Sequence, residues 1–424
     1  MPIGTRRALF ADTRDQRQLL SRTLSDGNTA AWYQPGIGVT GALNASLWAN
    51  WVNGTAGTAA DLAQDTAVAQ PIYLGHTGSN YAYLPAVAAN TLTSPNQTVT
   101  GNQTITFDVA LNDYTPAADV TLFTKTSGND GFIVKWLTTD KIRLVVGDGV
   151  SLTNVDVVAS SGFTDGSRHT ATIAWEDGVG ATFSYDGVQS GNQVPAAKTL
   201  TNAAVVMTIG STTSIGKVYR MQVGSLYDMD AALASETTTN GATFTGGASE
   251  VWTLNNTGAV LAQIVGSPQF LFSTPTFIKA GAFTLNQPET LYFVFKGITN
   301  LQGTVMLDGN VLSSMDFQGY QNGTRVAINA GSYVANDTNV LGAYGIASLI
   351  FDGANSSIQI NNATATTGNA GIANAGGLTT GAGADGSTPS NIQVKELIVR
   401  SVHDSAVTQL AIQQRLAALH GIAL

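Results

Sequence analysis

The sequence has no cysteine, only four histidines and five glutamates, and charged residues occupy 11% of its 424 positions. Without cysteine there is neither a disulfide framework nor a thiolate metal site, so burial and hydrogen bonding must hold the fold. The histidines, His76, His169, His403 and His420, are scattered along the chain, which excludes the clustered ligands of a zinc centre. No stretch approaches the roughly 18 uninterrupted apolar residues of a membrane-spanning helix. The N-terminus carries Arg6, Arg7, Arg14, Arg17 and Arg22 without the apolar run of a secretion signal. A soluble protein made in a cytoplasm is expected. The formal net charge of -9 gives no general attraction to nucleic acid or to an anionic membrane, so neither is expected as a partner.

In place of charge the chain has 46 glycines and many Thr, Asn, Ala and Val residues, a mixture that suits strands whose surface is solvated by hydroxyls and amides. Short alternating stretches recur between Gly, Asn and Asp turns: TITFDVAL near 104, GFIVKWLT near 131, KIRLVVGDG near 141, HTATIAW from 169 and ATFSYDG from 181. Such period-two patterning predicts an antiparallel sandwich or barrel. Helix is scarce. The clearest prediction is DSAVTQLAIQQRLAALHG, with Asp404 as cap, Ile412, Leu416 and Leu419 on one face, and Gly421 at the end. A second helix is expected over about 13–24.

Shifting the chain by 175 residues lays HTATIAWEDGVGATFSYDG on YGIASLIFDGANSSIQINN without a gap. Trp175 falls on Ile350, Asp177-Gly178 on Asp352-Gly353, Phe183 on Ile358 and Tyr185 on Ile360. The inward apolar positions persist, whereas Glu176 and Asp186 become Phe351 and Asn361, and His169 becomes Tyr344. Further on, GKVYRMQV near 216 answers IQVKELIV near 392. Two copies of one sandwich are inferred. The division expected is an N-terminal arm and lead-in over 1–74, a first sandwich over 75–235, a connecting segment over 236–267, and a second sandwich with the C-terminal helix over 268–424.

The first hairpin gathers a histidine, a glutamate and two aspartates within twenty positions. Seven extended residues separate His169 from Glu176, roughly 23 Å at about 3.3 Å per residue, so those two cannot form a proton relay. If the turn pairs Trp175 with Ala181, Asp186 lies opposite Thr170 and faces away from His169, an orientation that a one-residue slip would reverse. His169 is therefore read as a strand residue and not as a catalytic base. The pairs Asp12/Asp15, Asp228/Asp230 and Asp177/Asp186 are read as caps and turns. The glycine-rich 366–391 stretch lacks the lysine of a phosphate loop and is read as a connection within the second sandwich.

The run DGSRHTATIAWEDGVGATFSYDGVQSG, followed by MTIGS and GKVYRMQV, resembles the laminin-G and concanavalin-like family, over about 75–230 and again over about 268–402. The resemblance implies a mostly β protein of two tandem jelly-roll sandwiches. Members that hydrolyse β-glucans place acids in a Glu-x-Asp-x-x-Glu arrangement. Glu176, Glu236, Glu250, Glu289 and Glu396 nowhere show that spacing, so no catalytic residue is assigned and no enzyme is expected. Members often hold Ca²⁺ between loops, which makes Asp130, Asp148, Asp165 and Asp385 the residues to inspect. They are read as turn formers, and no metal or other cofactor is assigned. Sandwich lectins stack sugars on aromatics, which directs attention to Trp32, Tyr33, Trp48, Trp51, Tyr81, Tyr83, Tyr320 and Tyr333 without fixing a binding residue.

The segments SLWANWVNGTAGTAADLAQDTAVAQPIY, FTLNQPETLYFVFKG and KELIVRSVHDSAVTQLAIQQRLAALHGI also resemble, in style and order, jelly-roll proteins encoded by tailed bacteriophages. That resemblance implies a structural virion component, in the tail, a fibre or the capsid decoration, made in the host cytoplasm. Other virion proteins and further copies of itself, as a homo-oligomer or multi-copy lattice, would be its partners, with a host-surface glycan as candidate ligand. The alternatives are a bacterial carbohydrate-binding adhesin and, more remotely, a glycan hydrolase.

Overall fold

The computed structural model describes residues 20, 24, 26–34, 39–40, 47–48, 51–52, 55–56, 62–64, 66, 72–74, 80–85 and 90–424, except 140, 159–162, 191–192, 211–214, 238, 257–262, 266–268, 281–282, 300, 313 and 321–324. The expected helix over 13–24 and the five N-terminal arginines thus lie almost wholly outside the described residues. The described chain is mostly β, with one α-helix of 15 residues at its C-terminal end. It forms two compact units, one of residues 76–267 and one of 1–75 with 268–424.

In the first unit, alternation along each strand sends every second side chain into a single apolar core between two antiparallel sheets. One sheet runs Val188–Gln189, Gly180–Tyr185, His169–Glu176, Gln103–Leu111, Gly216–Val223, Tyr81–Leu84, Gln263–Val265. The other runs Leu152–Val158, Lys141–Asp148, Asp130–Trp136, Val120–Ser127, Met207–Ile209, Thr91–Ser94, Val251–Asn255, Thr243–Thr245. The hairpin pairs Trp175 with Ala181, and Ala171, Ile173 and Trp175 point into the core with Phe183 and Tyr185.

The second unit repeats this order. Its strands Ser356–Ile360, Gly345–Phe351, Glu289–Gly297, Ile392–Arg400 and Gln269–Phe272 follow one another as their counterparts do in the first unit. The facing sheet repeats likewise from Tyr333–Asn336 through Arg325–Asn329, Asp316–Tyr320, Val305–Asp308 and Thr379–Thr380 to Ile278–Ala280. Even the register shift recurs, between Asp108 and Val109 in one copy and between Val294 and Phe295 in the other.

Two boundary expectations are corrected. Residues 236–267 do not merely connect: Val251–Asn255 pairs with Thr91–Ser94 and Gln263–Val265 with Tyr81–Leu84. Trp252 and Leu254, at alternate positions, are fully buried in the first core. The 1–74 segment is likewise no mere lead-in, since Thr29–Tyr33 pairs with the end of Ile392–Arg400. The reason is length. Gln269–Phe272 covers only the first residues of that nine-residue strand, so the backbone of Leu397–Arg400 would stay unpaired on that side. In the first unit a local return strand, Tyr227–Asp230, fills the equivalent place.

The C-terminal helix, Ala406–His420, lies on the outer face of the second unit's sheet. Ile412, Leu416 and Ala417 pack there with Tyr292, Val294, Ile346, Ile398 and Trp32. Strands Glu289–Gly297 and Ile392–Arg400 are consequently buried on both faces. Ser405, not Asp404, caps the helix by accepting the Thr408 N–H, and Gly421 closes it in the left-handed region at φ 65°. Asp404 is drawn away to accept from Arg400 at 2.7 Å and from the Tyr292 hydroxyl at 2.8 Å. The glycine-rich 366–391 stretch is packed, not loose: Leu378, Thr379, Thr380 and Ala382 are buried, and Gly381, at φ 95°, abuts Phe272 so closely that a Cβ would lie 2.2 Å from its ring.

Candidate functional site

The hairpin from His169 holds an arrangement that the strand alternation hid. His169 Nδ1 lies 2.7 Å from Asp186 Oδ2, and its Nε2 lies 2.7 Å from Ser167 Oγ. The expected orientation of Asp186, away from His169, is therefore overturned, although the register itself is as read. Asp186 and Gly187 form the two-residue loop between Tyr185 and Val188, and both take positive φ, 47° and 80°. A loop of that kind turns the first side chain out of the strand's alternation. The carboxylate folds back over the strand end, where Oδ1 accepts the Thr170 N–H at 2.8 Å. Burial opposes ionisation of Asp186, but the His169 and Thr170 hydrogen bonds outweigh it and hold the carboxyl below its usual range.

Serine, histidine and aspartate in line suggest acyl transfer, yet the surroundings do not support it. The Ser167 hydroxyl donates to the Thr164 carbonyl, so its proton is turned from the imidazole. The N–H groups of Gly166 and Ser167 are spent on the carbonyls of Leu111 and Thr164, leaving neither to hold a developing oxyanion. Phe163 stacks on the imidazole, 3.9 Å between ring centres, and Tyr114 meets its edge. In the second unit the same places are Ala343, Gly345 and Asn361, because Gly345 stands opposite Phe295 as His169 stands opposite Val109. The 175-residue shift, which laid Tyr344 on His169, is one position short on this strand. Asn361 keeps the positive φ, 53°, and accepts the Ile346 N–H. The left-handed position at the strand end thus takes a short polar side chain that accepts a main-chain N–H and need not be an acid.

The other acids are engaged one by one. Asp130 accepts from the Thr201 hydroxyl, Asp165 from the Tyr114 N–H and Asp385 from the Ser387 N–H. Asp148 takes the Lys198 ammonium and the N–H groups of Ser151 and Val150, which keep its carboxyl far below the ordinary range. Asp177 accepts from the Trp175 indole and the Leu200 N–H, and lies apart from the Asp186 cluster. Asp228 pairs with Arg220, and Asp230 caps a short 3₁₀ turn. Asp12 and Asp15 lie outside the described residues. Among the described residues no three His, Asp or Glu side chains come together as a metal site would require. In the second unit the Lys279 ammonium donates to the carbonyls of Asn310 and Ala384, 2.9 Å each, bridging two loops as a bound cation would.

Two further groups escaped the sequence reading. Glu289, fully buried, has no hydrogen-bond partner for either carboxyl oxygen among the described residues, and burial pushes its pKa up to about 8. A clamp joins the N-terminal strand to the C-terminal helix: Trp32 donates to Glu396 Oε1, and His420 Nε2 lies 2.7 Å from Glu396 Oε2. Arg400, 1% exposed, pairs with both Asp26 and Asp404. Arg400 holds the Asp26 carboxyl down to about 2 against the opposing effect of burial.

The aromatic candidates separate clearly. Trp32, Tyr33, Tyr81 and Tyr83 are core residues, each at most 3% exposed. The side chains of Trp48 and Trp51 lie outside the described residues. Tyr333 is 53% exposed, and its ring stands 5.3 Å from that of half-buried Tyr320, at 35°. They come from Tyr333–Asn336 and Asp316–Tyr320, two strands apart in one sheet. Gln318 shares the face of Tyr320 by alternation, and the Arg325–Asp337 ion pair lies beside it.

No protein-family model and no curated protein matches the chain. Among solved structures, domains LG4-5 of the mouse laminin alpha1 chain are 11% identical, with 77% of this chain and 88% of that one covered and a TM-score of 0.30. The receptor binding domain of botulinum neurotoxin D is 8% identical, with coverages of 80% and 75% and a TM-score of 0.25. The CBM40 of the Ruminococcus gnavus IT-sialidase, solved with alpha2,3 sialyllactose, is 13% identical, with coverages of 36% and 88% and a TM-score of 0.24. Likenesses this slight carry no argument, and the fold assignment rests on the strand order itself.

Proposed function

We propose that this chain is a non-catalytic structural component of a tailed-phage virion whose second sandwich attaches to host-surface saccharide. The observation that carries the attachment is the Tyr320–Tyr333 pair. A solvent-facing pair of tyrosine rings on a rigid sheet offers an apolar platform for the flat face of a pyranose. Gln318 and the Arg325–Asp337 pair border it with hydrogen-bonding groups for the sugar hydroxyls. The virion role is supported by the phage-like style of the three segments quoted above and by the weakly charged, Thr- and Asn-rich composition.

A glycan array probed with the full chain tests the attachment. Binding of the unaltered protein should fall tenfold or more in Tyr333→Ala, with the urea midpoint unmoved, because Tyr333 is on the surface. Equal binding by both proteins would refute the platform. Mass spectrometry of purified particles tests the virion role: the chain should be a stoichiometric particle component. Its recovery from bacterial envelopes instead would favour the adhesin.

A further inference from the structure

Beside the C-terminal helix, on the outer face of the second unit's sheet, runs a groove of about 660 Å³. That volume is within the roughly 300–1,000 Å³ common for small-molecule sites. Its floor is the outer surface of the neighbouring strands Gly345–Phe351, Ser356–Ile360 and Thr366–Gly368. One wall is the helix Ala406–His420 and the other is the loop 361–365. We propose that this groove is a binding site for a neutral oligosaccharide, separate from the tyrosine pair.

The chemistry of the lining argues for that ligand class. The groove is faced by Ser357, Asn362, Thr367 and Gln409 together with the apolar surfaces of Ile350 and Leu410. No carboxylate, lysine or arginine side chain lines it among the described residues. Ser357, Asn362 and Thr367 make no side-chain hydrogen bond among the described residues and are open to a ligand's hydroxyls. An extended peptide is a poorer fit. The groove lies over the face of strands that are paired with each other, Ile350 with Ser357 and Ser357 with Thr367. Ladder hydrogen bonds run in the plane of a sheet, so a peptide lying in the groove could not be added to it as a strand. Only side chains remain to recognise the occupant, through hydroxyl and amide hydrogen bonds over an apolar patch.

The walls are also set before any ligand arrives. Gln413, 1% exposed, donates from Nε2 to Ser348 Oγ at 2.7 Å and to Gln359 Oε1 at 3.0 Å, fastening the helix to the floor. Gln359 in turn donates to the Ala363 carbonyl at 2.8 Å, which fixes the opposite loop. At one end His403 Nδ1 meets Asp352 Oδ2 at 2.7 Å. A groove held open this way loses little freedom on binding, which favours affinity for a weakly interacting ligand such as a sugar.

The proposal rests on reading the chain as a saccharide-binding protein but not on the tyrosine platform, and the experiment keeps the two apart. The full chain carrying Tyr333→Ala is titrated with neutral trisaccharides of glucose, galactose and N-acetylglucosamine, followed by saturation-transfer NMR. At least one trisaccharide should bind. Adding Ala365→Trp, which fills the groove from an exposed position, should abolish that binding. Adding Asn362→Ala with Thr367→Ala, two exposed side chains without hydrogen bonds among the described residues, cannot crowd the site and should weaken it at least tenfold with little change in the unfolding midpoint. The groove is refuted if the Tyr333→Ala protein binds none of the three, if it binds only sialylated or sulfated glycans, or if the alanine pair leaves affinity unchanged. Loss of all binding with Tyr333→Ala, from a parent that binds, would keep the platform and sink the groove. Unchanged binding with Tyr333→Ala that the groove variants remove would do the reverse.

Discussion

Glu289 is a fully buried carboxyl with no hydrogen-bond partner among the described residues, and its raised pKa translates into a stability that depends on pH. Folded, it releases its proton near pH 8; unfolded, near 4.5. Between those values the native state keeps a proton that the unfolded chain has lost, so stability is greatest below about pH 4.5 as far as this group is concerned, and declines as pH rises towards 8. Asp316, which burial raises to about 6, adds a smaller contribution of the same sign. Urea midpoints should therefore fall from pH 5 to pH 8.5, and Glu289→Gln should remove most of that fall, a difference on the order of a few kcal/mol. An unchanged pH profile in the variant would contradict the burial. For Asp186 the expectation is opposite in scale. It is half-exposed, and its counterpart Asn361, in a longer loop, holds the same left-handed position and the Ile346 N–H with an amide. Asp186→Asn should cost less than about 1 kcal/mol in denaturant unfolding. The same comparison shows why the sequence misled here: strand alternation was extended one residue into a loop whose positive φ cancels it.

At the scale of elements, the packed glycine-rich segment and the C-terminal helix carry the sharpest consequences. Gly381→Ala would place a methyl group against the Phe272 ring in a backbone region that disfavours alanine. A loss of about 2 kcal/mol or more is expected in the unfolding of the second unit. Composition alone made this stretch a connection. It could not show that the alanines and threonines between the glycines are buried, because that depends on strands far away in sequence. The helix was legible from its spacing and its terminal glycine. Its cap was not, because Arg400 and Tyr292 capture Asp404 and leave Ser405 to take the first-turn N–H.

For the whole molecule, the two units differ in how they are assembled from the chain. Both sheets and the core of the first are drawn from residues 76–267 alone. Expressed by itself, that segment should fold, giving a β-type circular dichroism spectrum and one cooperative urea transition. The second unit takes Thr29–Tyr33, Leu62–Ala63 and Ile72–Leu74 into its sheets, and it sets Trp32 against Glu396. Residues 268–424 without 1–75 would expose the main chain of Leu397–Arg400 and leave Arg400 without Asp26. That fragment should be aggregated or markedly less stable. A 268–424 fragment as stable as the full chain's second unit would contradict this assembly.

What the sequence determined by itself was whatever depends on neighbours along the chain. Period-two alternation specified strands, and the 175-residue shift pointed to the duplication. The stripe it carried over holds on the second strand of the hairpin, where Phe183 and Tyr185 match Ile358 and Ile360, but is one residue out on the first: Ala347, Leu349 and Phe351 face the core, and Ile346 and Ile350 lie outside. What the tertiary structure decided was everything that required distant residues to meet. It showed which strand completes which sheet edge, that the N-terminal segment belongs to the second sandwich, and which aromatics remain outside. It also showed that His169 and Asp186 touch. The physical reason is range: backbone propensity and side-chain alternation act over a few residues, whereas burial and the pairing of open strand edges are settled only when segments hundreds of positions apart compete for the same place.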